Sequence, residues 1–190
     1  MVGYDHPDAV TLVTAVQRVY VERYGGVDAT PVDPSEFALP AGLFLVGYAD
    51  GLPLTCGGWR LHRAVPRDGG PEEPPPRDGR LEEPPRRDCG TEEPPRRDGG
   101  TEEPPRRDGD AELKRMYVAP AARGRGFARL LLAELERTAS VAGARRMVLE
   151  TGTRQPEAIA LYRSSGYRPM PRFGIYREAP GSRCFAKPLG

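Results

Sequence analysis

Two glycines, Gly124 and Gly126, stand among Arg123, Arg125 and an amphipathic run that begins at Phe127 and Ala128. Glycine reaches positive φ and leaves no Cβ in the way of an approaching ligand. A helix that opens on such a loop presents unpaired backbone N–H groups and the positive end of its dipole. The chemistry this favours is the binding of a phosphate or diphosphate. Arg123 and Arg125 bring guanidinium groups suited to charge-assisted bonds with the same oxygens. No Gly-Lys-Ser/Thr triplet is present, so a Walker loop is excluded. The spacing of a dinucleotide fingerprint fails as well.

Further along, Arg145-Arg146-Met147-Val148-Leu149-Glu150-Thr151 reads as a short apolar strand. Gln155 to Tyr167 reads as a helix, with Pro156 in its first turn and Gly166 at the C′ position. Arg123-x-x-Gly126-x-Ala128 resembles the pyrophosphate loop of the GNAT superfamily, the Gcn5-related N-acetyltransferases. Leu161-Tyr162, three residues, then Gly166-Tyr167 resembles that superfamily's second signature. The resemblance covers residues 1–63 loosely and 111–190 well. It implies an α/β (α+β) fold: a mixed, mainly antiparallel central sheet flanked by helices, with strands splayed at an acetyl-CoA site. It implies acetyl-CoA as acyl donor and a small-molecule or peptide amine as acceptor, attacking the thioester directly without an acetyl-enzyme. It also admits a homodimer.

On that resemblance, the backbone of Arg123, Gly124, Arg125, Gly126, Phe127 and Ala128 holds the diphosphate. The strand of Met116, Tyr117 and Val118 splays from 145–151 and pairs its exposed backbone with the pantetheine arm, as an added strand would. A backbone N–H there polarises the thioester oxygen. Gln155 stands where many relatives have Asn and keeps the amide's hydrogen-bonding capacity. Tyr162 matches the Leu-Tyr position and becomes the general acid for the leaving thiolate. A phenol of pKa about 10 is close in acidity to a thiol, so the transfer is nearly balanced. Packing of the helix on the sheet is its alternative role. For the base, Glu112 begins the central strand and Glu150 is a second candidate; either also reads as a solvated charge at a strand end. The rival to an enzyme is a non-catalytic acyl-CoA-binding or interaction module.

These residues need elements to position them. Val10, Leu12, Val13, Val16, Val19 and Tyr20 fall at helical spacing within 8–24, opened by Pro7 or Asp8 and ended by Gly25-Gly26. Residues 25–42 read as loop with one short helix. Tyr20, Tyr24 and Phe37 are candidates to line an acceptor pocket, with Tyr20 read as core. Leu43–Ala49 is a strand, Asp50-Gly51 a hairpin turn, and Leu54–Leu61 the return strand with Trp59 under the sheet. Gly57-Gly58 signals a bulge or a close backbone approach. Leu113, Met116 and Val118 mark the strand closed by Pro120; Leu130, Leu131, Leu135 and Thr138 mark the helix after the loop. Ser182–Lys187 is the last strand.

The chain's 190 residues suffice for one domain, and its net charge of +1 argues against nucleic acid as a partner. There is no basic n-region before an apolar run, and no apolar stretch of membrane-spanning length, so the expectation is a cytoplasmic protein without membrane contact. Cys56, Cys89 and Cys184 are an odd count at spacings that fit neither a disulfide framework nor a zinc site. No metal site is expected, and His6 and His62 are lone histidines.

Residues 66–110 differ in kind. A decapeptide restarts at Arg67, Arg77, Arg87 and Arg97, and begins again at Arg107. The segment holds 11 of the 22 prolines, and residues 67–108 carry 9 arginines against 13 acidic residues. With almost nothing to bury, it is expected to be disordered or locally polyproline-like. The negative balance opposes a nucleic-acid contact; a docking tether for a proline-reading partner is the functional alternative. We read it as a tandem expansion in one surface turn of a single domain 1–190, between the third and fourth strands. Loop closure costs only roughly 0.6 kcal/mol per doubling of length, so the fold tolerates it.

Overall fold

The His6 side chain accepts a hydrogen bond from the Asp8 amide at 3.3 Å, and Pro7 presets the first turn of a helix. Helix α1 runs Pro7–Tyr24 and stops at Gly25, left-handed at φ 81°. In this computed structural model, residues 1–62 and 108–190 are described. The decapeptide repeat and Cys89 lie outside the described residues. The buried face of α1 is Ala9, Leu12 and Val16, while Val10 of the expected stripe is exposed.

A short 3-10 turn at Pro34–Phe37 leads to β1 (Gly42–Ala49). Asp50 and Gly51 take φ of 52° and 76°, the paired positive values of a tight hairpin, and β2 (Leu52–Leu61) returns. Then come β3 (Asp110–Val118), α2 (Phe127–Val141), β4 (Arg146–Gly152), α3 (Pro156–Ser164), β5 (Arg168–Met170) and β6 (Ser182–Pro188). The six strands form one sheet in the order β1-β2-β3-β4-β6-β5. Only β3 with β4 is parallel; every other pair is antiparallel. This is the mixed, mainly antiparallel sheet flanked by helices that the motifs imply.

One core cluster contains Trp59, Leu113, Leu131, Leu132, Leu135, Met147, Tyr162 and Phe185, joining the sheet to α2 and α3. The inward face of α2 centres on Leu131, Leu132, Leu135 and Ala139; Leu130 is exposed. The expected stripe is thus rotated by one residue. Thr138 is inward because its hydroxyl accepts the indole N–H of Trp59 at 3.0 Å, which satisfies a fully buried donor. A second cluster packs Ala9 and Leu12 with Phe37, Phe44 and Cys56. Phe37 is therefore core.

Residues 63–107 connect β2 to β3, the second and third strands. The expected placement between the third and fourth strands is corrected, because no strand precedes α1 and the Val2 amide makes a single bond to the Phe44 carbonyl, 3.2 Å. The ladder continues past the strand ends. The His62 amide donates to the Asp110 carbonyl at 2.7 Å, and the Gly109 amide to the His62 carbonyl at 2.9 Å. Among the described residues no helix is long and apolar enough to cross a membrane.

Candidate active site

The parallel pairing of β3 with β4 is short. Asp110, Ala111 and Glu112 pair with Arg146, Met147 and Val148, and there it stops. Beyond that point β3 stays on β2 through Val118 and β4 stays on β6 through Gly152. The facing edges part, and a gap with free backbone groups opens between them. The strand carrying Met116, Tyr117 and Val118 forms one side of this gap, as the resemblance implies.

A bulge shapes that side. Gly58 pairs with Lys114 and Cys56 with Tyr117, so Gly57 faces two residues of β3, Arg115 and Met116. Arg115 takes φ 55°, an uncommon conformation for a residue with a long side chain. A Cβ on Gly57 would lie 3.4 Å from the Met116 Cα and 3.1 Å from Leu135, so glycine makes the close approach here. The extra residue lets Leu113 and Met116 share the core face. The Arg115 side chain instead forms a buried ion pair with Asp28 and bonds the Thr30 carbonyl at 3.4 Å. The loop after α1 is thereby fixed to the bulge.

At the other end of β3 the glycine loop has its expected geometry. Gly124 and Gly126 take φ of 74° and 83°, and a Cβ at either would meet nothing within 4 Å. Among the described residues, the amides of Gly124, Arg125, Gly126, Phe127 and Ala128 donate to no protein acceptor. They form an open set of donors at the start of α2, and this donor set fits a diphosphate. Arg123 departs from its expected place in the set. Its amide donates to the Pro120 carbonyl at 3.2 Å and its Nε to the Val118 carbonyl at 3.2 Å, so it braces the turn. The Arg125 guanidinium lies over the Phe127 ring, 5.0 Å from its centre.

Tyr162 is buried on α3, edge-on to Tyr167, and its hydroxyl reaches the Met116 sulfur at 3.8 Å. Burial pushes this phenol well above its ordinary value. The balanced acidity expected with a thiol does not hold here: the proton is held more tightly. Gln155 precedes α3, and its Nε2 donates to the Tyr24 hydroxyl at 3.3 Å. Tyr24 seats against Gly152, where a Cβ would fall 2.2 Å from its hydroxyl.

Both base candidates line one cavity of about 270 Å³, together with Thr30, Pro31, Arg60 and Lys114. Its walls are the loop after α1 and the loop between β5 and β6, joined by the Ala29 amide donating to the Tyr176 hydroxyl at 2.7 Å. The two carboxylates differ in environment. Glu112 is buried between Lys114 (2.9 Å) and Arg60 (3.1 Å), the latter also pairing with Glu36. Glu150 accepts the Ser182 hydroxyl at 2.7 Å and forms no ion pair among the described residues. Burial raises its pKa above the usual carboxylate range.

Cys56 is buried, and desolvation pushes its thiol up to about 12; Cys184 is buried and also raised. Neither is a nucleophile in that state. No group of three or more metal-ligating side chains exists among the described residues.

Residues 94–167 match the family model for the GNAT family of acetyltransferases. The match takes in β3, the glycine loop, α2, β4 and α3, the elements that border the β3–β4 gap. An "IAA acetyltransferase" of Azospirillum brasilense is 45% identical over 78 residues, which are 41% of this chain and 51% of that protein. The chain thus spans about half the length of the curated relative it matches. A candidate acyl-CoA N-acyltransferase of Klebsiella pneumoniae superposes with a TM-score of 0.64 at 23% identity, covering 100% of this chain and 94% of its own. A candidate acetyltransferase of Salmonella typhimurium, solved with acetyl-CoA, superposes with a TM-score of 0.56 at 17% identity, covering 98% and 91%. These likenesses show the GNAT fold.

The motifs and strand ends singled out the loop amides, Met116, Tyr162 and both carboxylates. They missed the Arg115–Asp28 pair and the bulge, for which the sequence held one signal, the Gly57-Gly58 dipeptide on the partner strand.

Proposed function

We propose that the protein is an N-acetyltransferase that moves an acetyl group from acetyl-CoA to a primary amine by direct attack. The observation that carries this reading is the row of unengaged amides from Gly124 to Ala128. They stand at the head of α2, in line with a strand whose free edge faces the β3–β4 gap. The loop amides hold the diphosphate, and the open edge of Met116–Val118 takes the pantetheine arm as an added strand. A bulge N–H polarises the thioester oxygen. Tyr162 protonates the departing sulfur; a thiolate forming beside it shares its dry surroundings, which narrows the gap in acidity that burial creates.

Glu150 carries the base role in this reading. It lines the cavity, forms no ion pair among the described residues, and its raised pKa brings it closer to that of an amine. Glu112, held by Lys114 and Arg60, orders the cavity's charges. The inert states of Cys56 and Cys184 support direct transfer over a covalent acetyl-enzyme. Residues 1–62 and 108–190 constitute one GNAT-like domain in this reading, with the repeat inserted between β2 and β3, in the cytoplasm.

Titration calorimetry with acetyl-CoA, followed by CoA release across a panel of amines, tests the proposal. Micromolar binding with turnover of at least one amine is the expected result. Binding without turnover of any amine would move the protein to the rival class of acyl-CoA-binding modules.

A further inference from the structure

Residues 27–33, between α1 and the 3-10 turn, belong to no helix or strand. Such a segment must find partners elsewhere for its backbone polar groups. Here side chains take them. The Asp28 amide donates to Gln17 Oε1 of α1 at 2.9 Å, and the Thr30 amide donates to the Asp28 carboxylate at 2.9 Å. The Thr30 carbonyl accepts from Arg115 of β3 at 3.4 Å, and the Pro31 carbonyl accepts from Arg60 of β2 at 3.2 Å. The bonds to Gln17, Arg115 and Arg60 anchor this wall of the cavity to the helix and the sheet.

The Ala29 amide is the exception. It donates at 2.7 Å to the hydroxyl of Tyr176, 147 residues away on the loop between β5 and β6. Residues beside each partner line the cavity, Thr30 and Pro31 next to Ala29, Gly174 and Ile175 next to Tyr176. The bond therefore runs from one wall to the other. The second wall has the weaker footing. Among the described residues, the hydrogen bonds of Gly174 to Ala179 otherwise stay within 172–182: the Arg177 amide to the Gly174 carbonyl, the Ala179 amide to the Tyr176 carbonyl, Arg172 and the Ser182 amide to the Ala179 carbonyl. That wall also passes beside the base, because a Cβ on Gly174 would lie 3.5 Å from Glu150 Oε2.

We propose that Tyr176 is a positioning residue for the acceptor amine: its hydroxyl latches the β5–β6 loop to the wall at Ala29 and holds the two sides of the cavity at the separation the amine needs to meet Glu150. This rests on the N-acetyltransferase reading. Tyr176 touches no reacting atom and moves no proton. It acts through the placement of Gly174 and Ile175. With the latch closed, the amine enters a preformed cavity. Without it, the amine must order the loop as it binds, and that ordering weakens its affinity.

The test is Tyr176→Phe in the full chain, which keeps the ring and removes only the bond. Steady-state CoA release with the best amine of the panel gives kcat and KM, calorimetry gives acetyl-CoA affinity, and thermal melting gives stability. The expected result is a rise of about three- to tenfold in the amine KM, the factor one net hydrogen bond supplies. The kcat should stay within twofold, and acetyl-CoA affinity and melting temperature should not change, since the bond is exposed and the loop amides are untouched. An unchanged amine KM overturns the proposal and leaves the acetyltransferase reading standing. A fall in kcat at constant KM also overturns it, because the hydroxyl then acts on the reacting groups. A joint loss of acetyl-CoA affinity and melting temperature overturns it too, because the bond then holds the fold and not the amine. Wild-type protein that turns over no amine defeats the acetyltransferase reading before the variant is made, and this inference falls with it.

Discussion

The Tyr162 hydroxyl stands 3.8 Å from the Met116 sulfur, so a residue of α3 and a residue of the β3 bulge meet at the mouth of the parted strands. The contact is weak for a hydrogen bond, and a departing thiolate is a far better acceptor for the same proton. Tyr162→Phe is expected to lower kcat by about 10²-fold, within the range of general acid catalysis. Acetyl-CoA affinity should change little, since the loop amides are untouched. Single-turnover kinetics beside calorimetry checks this; an undiminished kcat removes Tyr162 from the acid role.

Gly126 initiates α2 from φ 83° with open space around it. A Cβ there meets no protein atom within 4 Å, yet a valine must hold a conformation that costs an L-residue roughly 1–2 kcal/mol, and it fills the approach to the amides. Gly126→Val is expected to abolish measurable acetyl-CoA binding while lowering stability only modestly. Calorimetry and thermal melting separate the two effects.

Glu150 gives a pH signature. As a base it works only when ionised, and burial sets its pKa above the ordinary carboxylate range. Activity should therefore fall as pH drops through that raised value, at higher pH than a solvated glutamate would dictate. Glu150→Gln is expected to lower kcat/KM by about 10²-fold and to remove this acid limb. A pH–rate profile that keeps the limb in the variant assigns the base elsewhere, with Glu112 next in line.

The bonds of His62 with Gly109 and Asp110 close the β2–β3 hairpin on the domain side of the repeat. Deleting 65–107 leaves Arg63, Ala64 and Asp108 to turn the chain before Gly109, whose φ of 80° suits a three-residue hairpin loop. Melting temperature should stay within a few degrees of the full chain. A drop of ten degrees or more in differential scanning calorimetry means that the repeat contributes packing.

The parts of the site that were legible in sequence rest on local rules. Gly124, Gly126 and Pro156 announce backbone conformations, and the apolar periodicities announce strand and helix. The parts that were not legible depend on register. Arg115 carries no mark of a left-handed conformation; only the mismatch between Gly58–Lys114 and Cys56–Tyr117 creates it. Leu130 and Leu131 look alike in sequence, and which one turns inward depends on where the left-handed Gly126 launches the helix. Arg123 resembles a ligand residue, yet the Pro120 turn before it consumes its amide.

At residue 152 a lone hydrogen sets an aperture. The Tyr24 oxygen occupies the volume that any larger residue there would claim. A methyl group added at this point would displace the end of the Tyr24 ring. The Gln155 amide would then lose its partner just ahead of α3.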